Sequence, residues 1–178
     1  MSDPTDTYSF HAKGFWNPCL QISGPEGELG TLKLRRNRWG MITGAAYTPH
    51  EGEKLDIRRD PGILRSQFSL WSEGREWLGA SLRWSFIGRI IDLSTGTKAM
   101  RLLPSADFSP GWTLHAPKTG RMAKVHLGSS PKVDVYRRMN FEVVLFSLFL
   151  GYLSRLESYF PGPAIEDVHD TQTSIKAT

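Results

Sequence analysis

Only one cysteine, Cys19, occurs among the 178 residues. An internal disulfide and a thiolate metal cluster are therefore excluded, and a reducing compartment fits. Long apolar runs are also missing. The longest nearly unbroken one is Val143–Leu153, bounded by Glu142 before and by Arg155 and Glu157 after. A bilayer-crossing helix needs roughly 17–25 such residues, so this run has the length of a buried core helix. A membrane-surface element and an oligomer seam are the alternatives.

Chemical motifs are equally scarce. His11, His50, His115, His126 and His169 are dispersed, with no HExxH or CxxC spacing, so no metal-ligand set can be read. GPEGELG at Gly24–Gly30 lacks the GK[ST] ending of a phosphate loop and does not open a predicted helix. GASLR at Gly79–Arg83 lacks the second glycine of a nucleophile elbow. His50 with Glu51 and Glu53 offers at best a weak metal or acid/base site, because such spacing is common in exposed turns. Cys19 has no activating neighbour in sequence. No catalytic residue, cofactor or metal is assigned.

REWLGASLRWSF at Arg75–Phe86 interleaves aromatic residues with arginines, as base-stacking surfaces do. Without an RNP, KH or helix-turn-helix pattern no specific nucleic-acid partner is predicted. The start, MSDPTDTYSF, carries neither a basic segment nor an apolar stretch. A cytoplasmic location is expected, with peripheral contact to a membrane as an extension of it.

What the chain has in quantity is turn formers and short alternating segments. Seventeen glycines and eleven prolines divide runs with the period of two that marks a strand with one wet face. Leu32 and Leu34 alternate with Lys33 and Arg35, and Leu55 and Ile57 with Asp56 and Arg58. From Trp77 to Phe86, Leu78, Ala80, Leu82, Trp84 and Phe86 alternate with smaller or polar residues, so Leu82 and Trp84 should point inward. STG at Ser94–Gly96 and PKTG at Pro117–Gly120 read as hairpin turns. RDPG at Arg59–Gly62 supplies another turn. Val133–Arg137 is the last strand expected.

Against this pattern stands one helical stretch, Asn140–Tyr159. Its apolar residues cover most of the circumference, so it needs cover on nearly every side. PGP at Pro161–Pro163 should stop it. Ten or more short strands leave two exposed sheet edges unless the sheet closes on itself. Threading the apolar helix through the closed sheet covers the helix as well. The expected fold is mainly β, an antiparallel closed barrel of about twelve strands around a hydrophobic C-terminal helix. The domain should span residues 8–160, with flexible termini at 1–7 and 161–178.

Three pieces, GELGTLKLRR at Gly27–Arg36, IIDLSTGTKAMRL at Ile90–Leu102 and the helix FEVVLFSLFLGYLSRLES, give residues 8–159 an arrangement that resembles the tubby C-terminal-like superfamily. That superfamily includes phospholipid scramblases and LURP-one-related proteins. The resemblance implies a twelve-stranded barrel around a helix and, from its tubby members, surface contact with phosphoinositide headgroups through basic side chains. It does not imply scrambling, because the cysteine cluster and following membrane segment of scramblases are missing here.

The residues that could make such a contact are arginines at strand ends: Arg35, Arg36 and Arg38 after one strand, and Arg58 and Arg59 after another. Guanidinium groups match phosphate oxygens bidentately. Asp56 and Asp60 flank the second pair and would weaken its field. An exposed Trp39 beside Arg38 would add an amphipathic anchor. The formal net charge of +4 permits an anionic partner without demanding one. The function expected is non-catalytic binding of a phosphorylated lipid headgroup or membrane surface. The alternatives are an adaptor domain for a protein partner and, more remotely, an enzyme built from dispersed residues.

Overall fold

The computed structural model describes residues 3–14, 19–60, 66–85, 88–96, 98–106, 110–129 and 131–159, with backbone alone at 66, 84, 85, 88 and 157–159. Twelve strands precede one helix: β1 Asp6–Lys13, β2 Cys19–Gly24, β3 Gly27–Arg36, β4 Ile42–Pro49, β5 Leu55–Arg59, β6 Ser66–Ser72, β7 Arg75–Ser85, β8 Gly88–Ser94, β9 Ala99–Pro104, β10 Gly111–Ala116, β11 Gly120–His126, β12 Lys132–Val135 and α1 Phe141–Tyr159. Every strand pairs antiparallel with its sequence neighbour, and β1 pairs with β12 to close the barrel. Closure leaves no strand edge open to a second chain.

The alternation of side chains decides which face is inside. Leu32, Leu34, Leu55 and Ile57 are buried while Lys33, Arg35 and Arg58 are exposed. Each buried aliphatic side chain contributes about 1.5–3 kcal/mol relative to exposure. Leu82 is half-buried against the core, as its period predicts. The expected inward pointing of Trp84, the RDPG turn beyond Asp60, the PGP stop and the tail at 161–178 lie outside the described residues. Strand pairing begins two residues before the expected domain start at residue 8. Asp6 and Thr7 already pair with Val135 and Asp134, because the ladder that closes the barrel uses the first half of β1, Asp6–Ser9, opposite the four residues of β12.

The helix threads the barrel, and residue size sets where it lies. Asn140 stands just before it, and its carbonyl accepts the amides of Val143 and Val144. Val143–Leu150 are buried without interruption, as are Leu153 and Ser154. Ser147, Gly151 and Ser154 form a small-residue stripe at helical spacing, and Gly151 packs against Trp112 of β10 and Val125 of β11. The bulky side faces the far wall, where Phe149 meets Phe68 of β6 edge-on at 5.5 Å. The helix is thus displaced toward β10–β12, and phenylalanines fill the wider gap. At its end the Arg155 guanidinium donates to the Leu127 carbonyl. No helix among the described residues is long and apolar enough to cross a membrane.

The seam between first and last strands carries its own polar staple. Asp134 on β12 accepts hydrogen bonds from Thr7 on β1 at 3.0 Å and from Lys132 at 3.0 Å. His126 Nε2 on β11 also lies 3.0 Å from the carboxylate, without hydrogen-bond alignment. Burial works to raise the Asp134 carboxyl, and the Lys132 and Thr7 hydrogen bonds outweigh it, so its pKa falls below the ordinary value. Burial pushes the His126 imidazole down, against the opposite pull of Asp134.

Both groups therefore resist protonation in the fold more than in the unfolded chain. Their contribution to stability falls on acidification, beginning near the ordinary histidine pKa of about 6.5 and continuing through the carboxylate range. We expect the unfolding free energy to decline between about pH 7 and pH 5, and His126→Gln to make that slope shallower in urea titrations run at each pH. An unchanged slope would remove His126 from the account.

Candidate functional site

Strand β3 ends in Arg35–Arg36 and β4 starts at Ile42, so Asn37–Met41 forms a tip at one end of the barrel. Asparagine suits this position because its side chain can hydrogen-bond backbone amides a few residues on. Asn37 Oδ1 accepts from the amides of Trp39 and Met41, at 2.9 and 3.0 Å. The Gly40 amide returns to the Asn37 carbonyl, and the Asn37 amide donates to the Met41 carbonyl. Gly40 has a φ of +78°, a conformation that costs other residues steric strain. The tip is therefore held in one shape by its own hydrogen bonds.

That shape presents apolar side chains to solvent. Trp39 is 74% exposed and Met41 54%. Of the exposed large hydrophobic residues among those described, only Trp77 lies elsewhere. The Arg38 guanidinium carbon sits 5.1 Å from the Trp39 ring centroid, a cation–π contact of about 0.5–1 kcal/mol at an exposed position. An amphipathic indole beside a guanidinium is well suited to the level of lipid headgroups.

The other candidate arginines are more committed. Arg35 Nη2 donates to the Ile57 carbonyl at 2.8 Å and lies 2.6 Å from Asp56 Oδ1. Arg58 reaches the other oxygen of Asp56 at 2.7 Å and stacks on Trp71. Asp56 thus joins two arginines that lie in separate sequence clusters, and one net positive charge is left among the three. Arg36 donates to the Gly40 carbonyl at 2.8 Å, bracing the tip. Arg59 approaches the Ile42 carbonyl and the Phe68 ring at the barrel mouth. Asp60, expected to weaken the field of the second pair, accepts a hydrogen bond from Ser69.

Within this set Arg38 is the guanidinium whose described contact is an aromatic face alone. Arg35, Arg58 and Trp71 extend the same outer wall across β3–β6. Asn37 and Met41 were not singled out by the sequence pattern. The signal for Asn37 was available in its position just past an alternating strand and before a glycine.

The weak His50, Glu51 and Glu53 constellation does not assemble. His50 Nε2 faces Glu28 at 3.2 Å, and hydrogen bonds from Gln21 and then His50 lower the Glu28 carboxyl. Glu51 and Glu53 turn instead toward a cavity at the opposite end of the barrel. Among the described residues no group of three or more His, Cys, Asp or Glu side chains converges to hold a metal ion. Comparison with family models, with curated proteins and with solved structures returns no match.

Proposed function

We propose that this protein is a tubby-like binding domain that docks on an anionic membrane surface through its β3–β4 tip. The observation that carries the proposal is the hydrogen-bonded tip holding Trp39 and Met41 in solvent with Arg38 stacked on the indole. Removing such side chains from water on a membrane supplies the apolar part of the binding energy. Arg38 supplies the charge-assisted contact with phosphate oxygens. The closed antiparallel barrel around a C-terminal helix supports the superfamily reading.

The reading is tested by co-sedimentation with neutral, phosphatidylserine and phosphoinositide liposomes. We expect phosphate-rich membranes to retain the protein, with retention reduced at least fivefold by Trp39→Ala and by Arg38→Gln. Arg35→Gln should change retention much less, because Asp56 and the Ile57 carbonyl already engage that side chain. Protein left in the supernatant by every membrane would sink the proposal and make capture of a protein partner the next experiment.

A further inference from the structure

At the opposite end of the barrel, where the helix begins, a cavity of about 620 Å³ opens. Part of its wall is aromatic. Phe141, the first helical residue, packs between Tyr8 of β1 and Tyr47 of β4, with ring centroids 5.7 and 5.5 Å away. Trp77 lines the cavity too and remains 52% exposed. Its position follows from a register slip: Leu70 opposes Leu78 while Trp71 opposes Glu76, which leaves Trp77 as the extra residue. Bulges of this kind re-aim a side chain.

The rest of the lining is one-signed. Asp6, Glu26, Glu51, Glu53 and Glu142 line the cavity, and among the described residues no Lys, Arg or His does, in a chain whose formal net charge is +4. Among the described residues none of these carboxylates has a basic partner. Their field reaches neighbouring groups. Burial, then Asp6 and Glu26, raise the Tyr8 hydroxyl. A hydrogen bond with Glu53 raises the Glu73 carboxyl.

A single metal ion does not answer this arrangement, because no three of the described acidic side chains converge on one point. A ligand complementary to this lining carries several positive charges separated by apolar segments. We infer that the cavity binds a linear aliphatic polyamine, its ammonium groups on the carboxylates and its methylene chain along the aromatic wall. The inference is independent of the membrane proposal, since the two sites occupy opposite ends of the barrel.

Isothermal titration calorimetry with spermidine tests it, on the intact chain at physiological ionic strength and with Mg²⁺ as the control for charge alone. The E51Q/E53Q double variant keeps side-chain shape and relieves like-charge repulsion, so it should fold. Trp77→Ala removes part of the aromatic wall without touching a charge. Saturable binding, at least tenfold weaker in the double variant, severalfold weaker in Trp77→Ala and unaffected by Trp39→Ala, is the expected result. An absence of saturable heat, binding equal in all variants, or full displacement by Mg²⁺ at matched ionic strength would overturn it.

Discussion

Replacing Phe149 with alanine should lower the unfolding free energy by about 3–5 kcal/mol. The ring is 1% exposed and meets Phe68 edge-on at 5.5 Å. Its loss therefore removes both transfer energy and an aromatic pair worth about 0.5–1.5 kcal/mol. The remaining gap cannot close cheaply. On the other side of the helix, a Cβ placed on Gly151 would stand only 3.2 Å from Trp112 and 3.3 Å from Val125. The backbone there already rests against the β10–β11 wall, so moving α1 to fill the gap would pull that contact apart. Against a total stability of about 5–15 kcal/mol for an ordinary domain, the loss is a large fraction. Urea denaturation should show a lower midpoint with an unchanged slope. A loss under about 1 kcal/mol would mean that the wall collapses over the gap and that the helix is not held as described.

The second large effect is expected at Gly44, where β3, β4 and β5 meet. Arg35 opposes Gly44 and Arg36 opposes Ile42, so the ladder carries a bulge at this point. A Cβ on Gly44 would lie 2.1 Å from the Ile57 carbonyl oxygen and 2.9 Å from Arg35 Nη2, at a φ of +156°. The carbonyl is backbone and cannot swing aside. Arg35 lies across the same glycine to reach Ile57 and Asp56. Gly44→Ala should therefore separate β4 from β5 locally and release Arg35, for a cost of about 3 kcal/mol or more. Gly40→Ala is the control. It also requires positive φ, but nothing lies within 4 Å of the added carbon, and the cost should stay near 1–2 kcal/mol. Equal losses at the two positions would show that backbone strain, rather than the close approach of Ile57, dominates at Gly44.

The barrel was legible because each strand has one wet face. Lys33 and Arg35 between Leu32 and Leu34 state the direction of the core without reference to any other strand. The helix was legible for the opposite reason, since Val143–Leu153 has no wet face and is too short to cross a bilayer. What alternation cannot express is which charges meet across the sheet. Arg35 and Arg58 belong to different sequence clusters, yet antiparallel pairing through β4 places Asp56 between them. Glu51 and Glu53 likewise look like companions of His50 until the turn directs them toward Asp6 and Glu142, residues far away in the chain. Trp39 stood out as a conditional anchor. Its exposure depended on Asn37 fixing the tip, a hydrogen-bond pattern that composition does not reveal.

The seam between Asp6–Lys13 and Lys132–Val135 also governs the order of events during synthesis. The first strand leaves the ribosome with its final neighbour still more than a hundred residues from being made. Until Val135 and the helix after it exist, the growing sheet has a free border on each side and no filling for its apolar face. Contacts so distant in sequence are formed late and slowly. The partly made chain is consequently the form most prone to join another copy of itself. Slowing translation should lengthen that vulnerable interval, and holdase chaperones should be needed most before residue 159 emerges.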